Sequence, residues 1–208
     1  MAKCDSVVIS RCLMLGIILF AMMSCGSSIQ PTIDIPTQAL KQGDIAFRKG
    51  EGIVSEIVLH GDADGLYSHI GVIVIHNDSI KVVHSVPGEG DFDGVKLEPI
   101  EDFYAPNRAV KGEIMRLPLT DGQRSLISER ALEKASQRVI FDHDYDIEDT
   151  TKLYCTELVE LLFAQCDVDL SQNRMTEVNV PGFSGKYIMP SDIYKNTNLT
   201  TIFKYKLY

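Results

Sequence analysis

The chain is poor in basic residues. Its 208 residues carry 20 Lys and Arg against 29 Asp and Glu, a net charge of −9. Nucleic-acid binding needs a basic footprint, so that class is excluded. There is no Lys/Arg run to hold an anionic lipid surface. No apolar stretch is long enough to cross a bilayer, which takes about 20 residues. The longest, Cys12 to Met23, has 12. Internal repeats and low-complexity tracts are also missing. What remains is an acidic chain of ordinary hydrophobic content (45%), with the length of one domain and a core of its own.

The first residues are read as a targeting segment. Lys3 and Arg11 give a positive start, the apolar run follows, and small and polar residues come next. This is the layout of a secretory signal. The sequence "MMSC", ending at Cys25, resembles a bacterial lipobox, with Cys25 as the lipidated residue. The expectation is a signal peptide over 1–24, a tether over 25–42 and a domain over 43–208. The protein would then be exported and held at a membrane of the bacterial cell envelope through its lipid anchor.

Cysteine is scarce once the signal is set aside. Cys4 and Cys12 leave with it and Cys25 takes the lipid, so the domain keeps only Cys155 and Cys166, both in "KLYCTELVELLFAQC". Eleven residues along a helix span about 16 Å, and a disulfide needs Cα atoms within about 7 Å. The two thiols are therefore free.

Periodicity suggests a mixed chain. "GDIAFRKG" reads as a first strand and "EGIVSEIVLHG" as a short helix. "HIGVIVIH" is a near-continuous apolar run, as for a buried strand, and "IKVVHSV" follows across Asn77-Asp78, a dipeptide suited to a tight turn. "VKLEPI" and "KGEIMRLP" read as further strands. Residues 120–140 read as a helix opened by a Thr120/Gln123 capping box. Residues 171–187 read as a long polar connection, and "TTIFKYKLY" as a closing strand.

Chemistry concentrates in the cysteine helix and the histidine hairpin. Cys155, Leu158, Val159, Leu162 and Cys166 form one stripe at helical spacing. Free cysteines are commonly just small buried hydrophobes. The helix ends differ, however. Cys155 lies in the first turn, where Thr150 or Thr151 could cap and where exposed N–H groups favour a thiolate. Cys166 lies in the last turn, where the dipole disfavours one, and is assigned to the core. If Asn77 and Asp78 are the turn residues, paired positions in the hairpin sum to 155. His69 and His84 then fall on one face as diagonal neighbours, one imidazole able to orient the other.

"GDIAF", "YSHIGVIV", "VVHS", Tyr145-Asp146, "YCTELV" and "IMPSDIY" occur in this order. Together they resemble the YiiX-like branch of the NlpC/P60 superfamily. The resemblance implies an α+β, circularly permuted papain-like fold with an antiparallel sheet packed against helices. It implies a cysteine peptidase or amidase, possibly an acyltransferase, working without cofactor or metal on a small-molecule, peptide or lipid-linked amide. Carried over, His69 is the base, Cys155 the nucleophile and His84 the third member, where relatives place a glutamate. The Cys155 backbone N–H would help hold the oxyanion. Tyr67, Tyr145 and Tyr154 are candidates to line a substrate groove.

Two other readings stand beside this one. The acidic loops "DHDYDIED" and "HGDADG" could serve a metal-dependent hydrolase, although the first has Ile147 where a calcium loop needs glycine. The fold could also be a binding module without turnover.

Overall fold

The computed structural model describes residues 32–89, 92–180 and 183–207. Eight strands and five helices follow in chain order: β1 (Ile45–Lys49), α1 (Ile53–Gly61), β2 (His69–His76), β3 (Ser79–Glu89), β4 (Phe92–Pro99), α2 (Ile100–Phe103), β5 (Lys111–Arg116), α3 (Asp121–Gln137), α4 (Cys155–Ala164), β6 (Thr176–Val180), β7 (Phe183–Tyr187), α5 (Pro190–Tyr194) and β8 (Thr200–Lys206). Six strands form one sheet in the order β4-β3-β2-β1-β5-β8, and β6 and β7 pair by themselves. Every neighbouring pair is antiparallel.

Alternation along the strands divides this sheet into two chemically different faces. Ile45 and Phe47 of β1, Ile70, Val72 and Val74 of β2, Val83 of β3 and Val95 of β4 point to the first face. There they pack with Ile127 and Ala131 of α3 and Leu158, Val159 and Leu162 of α4. Each such fully buried side chain is worth about 1.5–3 kcal/mol of transfer free energy. The second face carries Ala46, Ile73, Val82 and Ile114, covered by Ile100, Phe103 and Tyr104. By the same alternation Arg48, His69, His84, Lys96 and Glu98 belong to the second face.

The β2–β3 hairpin has the expected register. His76 pairs with Ser79 and Val72 with Val83. Asn77 and Asp78 both take the left-handed conformation, φ 51° and 57°, as a two-residue type I′ turn requires. The Thr120/Gln123 capping box at the start of α3 is present, Gln123 N donating to Thr120 Oγ1 at 3.2 Å and Thr120 N to Gln123 Oε1 at 3.0 Å.

Three expectations give way. Residues 171–187, read as a polar connection, contain the β6–β7 hairpin. Neither Thr150 nor Thr151 caps α4. Tyr154 is the N-cap residue, and Glu157 reaches back to accept its N–H at 3.2 Å. The tether includes chain that packs: Ile33, Ile35 and Leu40 lie against the second face, around a 3₁₀ turn at Thr37–Ala39. Their apolar side chains gain more from that cover than from solvent. Cys25 and the signal segment lie outside the described residues.

Candidate active site

Cys155 is the first residue of α4. Its N–H is among the helix's N-terminal amides that have no acceptor inside the helix. The apolar stripe behind it, Leu158, Val159 and Leu162, presses α4 onto the first face of the sheet and fixes where the thiol sits. Cys155 and Cys166 are both free.

His69 opens β2, and Nε2 of His69 lies 2.7 Å from Nδ1 of His84 on β3, the rings nearly perpendicular at 78°. Gly71 makes this contact possible. It shares the face of His69, and a Cβ there would meet Val82 Cγ1 at 2.6 Å, the Val83 carbonyl at 2.9 Å and His84 Cβ at 3.0 Å. Phe103 packs on both rings, with centroids 5.9 Å from His69 and 5.1 Å from His84. The pair thus lies on the face opposite the one that α4 packs. His69 begins its strand, and it lines one pocket together with Cys155.

Behind His84 stands Glu98 of β4, which the sequence reading passed over. Glu98 Oε1 is 2.9 Å from His84 Nε2, a close contact bent off the ideal N–H···O line. Its other oxygen accepts from Lys96 at 2.9 Å and Arg108 at 3.0 Å, and Arg48 stands 3.8 Å from Oε1. Arg48 in turn lies 4.5 Å over the Phe103 ring and donates to the Phe103 carbonyl at 3.0 Å. Burial works against the ionised form of Glu98, but the contacts with His84, Arg108 and Lys96 outweigh it and hold the carboxyl well below its usual range.

The protonation states run against the helix-start expectation for the thiol. Burial pushes Cys155 up to about 11, even though the amides of Thr156, Ile70 and Cys155 itself, together with Arg48, pull the other way. Burial also drives both imidazoles down. His69 falls well below its ordinary value, helped by Arg48, His84, Arg108 and Lys96. His84 falls to about 4, with Glu98 opposing the fall. Desolvation exceeds the helix-terminus effect, so the resting pair is neutral thiol and neutral imidazole.

The pocket at Cys155 is small, about 50 Å³, and mostly apolar: Val54, Val58, Phe141, Tyr145, Tyr154 and Tyr187 contribute to its wall. A second cavity of about 300 Å³ adjoins it on the other side of His69, with Arg48, Glu51, Asn107 and Arg108 in its lining. Tyr145 and Tyr154 thus border the thiol, their rings 5.4 Å apart. Tyr67 does not reach either cavity. It is core, with its hydroxyl on Glu113 and its ring against Phe47 and Tyr194.

Comparison with known proteins shows the family and the fold. The model of the permuted papain-like amidases, YaeF/YiiX type, matches residues 39–203. The chain is a member of this C92 family. A solved structure of YiiX from Escherichia coli O157:H7, described there as a metalloprotein, superposes with a TM-score of 0.66 at 18% identity, over 80% of this chain and 98% of that one. None of the curated proteins searched matches. The C92 assignment makes the chain an amidase-type hydrolase at the level of its family and bears out the α+β permuted papain-like fold.

The acidic loops of this C92 chain have carboxylates engaged within the protein. Asp142 is buried and accepts the N–H of Asp144 at 3.0 Å and of Asp146 at 2.6 Å. Asp62 accepts the N–H of Ser191 at 3.0 Å, and Asp64 pairs with Lys195 at 2.9 Å. Among the described residues no three His, Cys, Asp or Glu side chains gather as a metal site. Within the helix dipole's first turn, Glu157 does not behave as a simple surface charge. It is buried, and burial lifts its carboxyl to about 7.

Proposed function

We propose that the protein is a thiol-dependent hydrolase of amides or esters, with Cys155 as nucleophile, His69 as base and His84 orienting His69. The observation that carries this reading is the 2.7 Å contact of His69 Nε2 with His84 Nδ1. In this reading Nδ1 of His69 is the nitrogen that serves the thiol of Cys155, which lines the same pocket. As the sulfur attacks the carbonyl carbon, the thiol proton passes to His69 Nδ1 and the carbonyl electrons move onto oxygen, near the Cys155 N–H. Collapse breaks the bond to the leaving amine or alcohol, which takes the proton from His69. Water then resolves the acyl-enzyme by the same steps.

The lining also supports a substrate reading. The Cys155 side is apolar and aromatic, which suits the acyl part of a lipid-linked or apolar-peptide amide. The side bearing Arg48, Glu51 and Arg108 suits a polar leaving group. Export and an N-terminal lipid on Cys25 belong to the same proposal and would bring the enzyme to cell-envelope substrates. Labelling cells with a radioactive fatty acid tests the anchor, because Cys25→Ala should abolish incorporation.

The deciding experiment is hydrolysis of a panel of N-acyl amides and esters graded in acyl length. Cys155→Ala should lose at least about 10³-fold in rate. Retention of full activity in Cys155→Ala together with loss on chelation would overturn the thiol mechanism in favour of a metal hydrolase. No turnover of any member by the wild type would favour a binding module.

A further inference from the structure

A neutral imidazole makes a poor third member of a catalytic triad, because it can orient a base but brings no charge to balance the imidazolium that forms. Here the neutral ring does not end the chain of contacts. His84 Nε2 meets Glu98 Oε1 at 2.9 Å, and His84 Nδ1 meets His69 Nε2 at 2.7 Å. The relay takes two tautomer assignments from the first contact, which is close but not an aligned hydrogen bond. An ionised carboxylate only accepts, so His84 carries its proton on Nε2. Its Nδ1 is then an acceptor, which forces His69 to carry its own proton on Nε2 and to keep the lone pair on Nδ1. That lone pair is the one required at the thiol. The carboxylate, two residues removed from the sulfur, thus selects the reactive nitrogen of the base.

Charge points the same way. The groups facing the two rings are otherwise cationic. Arg48, Lys96 and Arg108 all oppose a positive His69. His84 is fully buried and Glu98 nearly so, and in such surroundings Coulomb terms are screened little.

We propose that Glu98 is a positioning residue that extends the site to a relay, Cys155–His69–His84–Glu98, in which the carboxylate fixes both tautomers and offsets the imidazolium charge. The inference rests on the proposed Cys155/His69 chemistry and adds a carboxylate behind its second histidine. Glu98 stays ionised throughout. The only proton that crosses between residues is the one exchanged between the sulfur, His69 Nδ1 and the leaving group.

The test uses the full chain and reads the thiol directly. Cys155 alkylation by iodoacetamide is followed by peptide mass spectrometry from pH 5 to 9, beside nitrogen-15 spectra of the imidazoles. Wild type should show a flat, base-assisted rate near neutrality and Nε2–H tautomers for both rings. Glu98→Gln keeps an acceptor but loses the charge. It should retain the tautomers and slow alkylation at least about tenfold, a conservative share of the ~10⁴ lost when the serine triad's carboxylate is neutralised. Glu98→Asp should recover part of the rate. Glu113→Gln, which alters a buried carboxylate remote from the histidines, should leave the pH profile unchanged and so controls for general loosening. A rate for Glu98→Gln within about twofold of wild type, with His69→Gln still slow, overturns the relay alone. A Cys155 rate indifferent to His69→Gln overturns the underlying reading as well. If Glu98→Gln does not fold, the wild-type tautomers decide: Nδ1–H on His69 refutes the relay and Nε2–H on both rings supports it.

Discussion

Helix α4 and its C-terminal turn hold the two thiols of the domain, and nearly everything about them differs except the apolar stripe they share. Cys155 is mostly buried at the first residue of the helix and lines a pocket with His69. Cys166 is buried just past the last turn, where its Sγ–H points at the Gln123 carbonyl of α3 at 3.7 Å and its own carbonyl accepts from the Gln123 side chain at 3.2 Å. Burial raises the pKa of both. The difference therefore does not lie in resting acidity, as a helix-end argument alone would have it. It lies in what stands next to each sulfur when a proton has to leave.

Removing the partner should break that contrast most. His69→Gln should cost about 10²–10⁴ in hydrolysis rate and bring Cys155 alkylation down to that of an unassisted thiol, measured by stopped-time labelling. Next comes the spacing that seats His84. Gly71→Ala should push β3 from β2, cost about 1–3 kcal/mol of stability as overpacking does, and lower activity. Denaturant melts and rates on one preparation check both. A third, gentler probe is pH. With His69 held low and Cys155 at about 11, activity should stay level through neutrality. It should fall on the acid side only below pH 6.5, as His69 takes a proton and ceases to be a base. An acid limb centred at or above 6.5 would contradict the neutral pair. The smallest effect belongs to Cys166→Ala, about 1 kcal/mol of stability or less for a small side chain at the edge of the core, with rate and pH profile untouched. Labelling of Cys166 before unfolding would show that the thiol is accessible in the native fold.

Much of the site was legible because it rests on local rules. Asn77-Asp78 dictates a two-residue turn, the turn dictates register, and register puts His69 and His84 on one face. Helical spacing likewise set the stripe that aims Cys155. Glu98 was not legible, although "VKLEPI" shows charged residues alternating with Val95 and Leu97. The β3–β4 pairing carries a register shift between Val86 and Glu89, so no count along the chain could say which β4 residue would stand beside His84. The pairing of His84 with Lys96 makes Glu98 its diagonal neighbour. The β6–β7 hairpin was hidden for a similar reason, with polar strands and Pro181-Gly182 between them. The thiol's acidity was misread because the sequence displays the helix start but not the depth of burial, and burial is the larger effect.

The three supporting members of the proposed relay, His69, His84 and Glu98, lie in one meander, β2–β3–β4, whose strands follow each other directly along the chain. On a ribosome that meander is complete well before Cys155 is synthesised. Its contacts are short-range and close quickly, while docking of α4 needs a much longer loop. By that reasoning the base and its support would be assembled first and the cysteine helix would dock last. A nascent chain would keep an ordinary, slow-reacting cysteine until its helix lands, so reactivity at Cys155 would report the final step of folding.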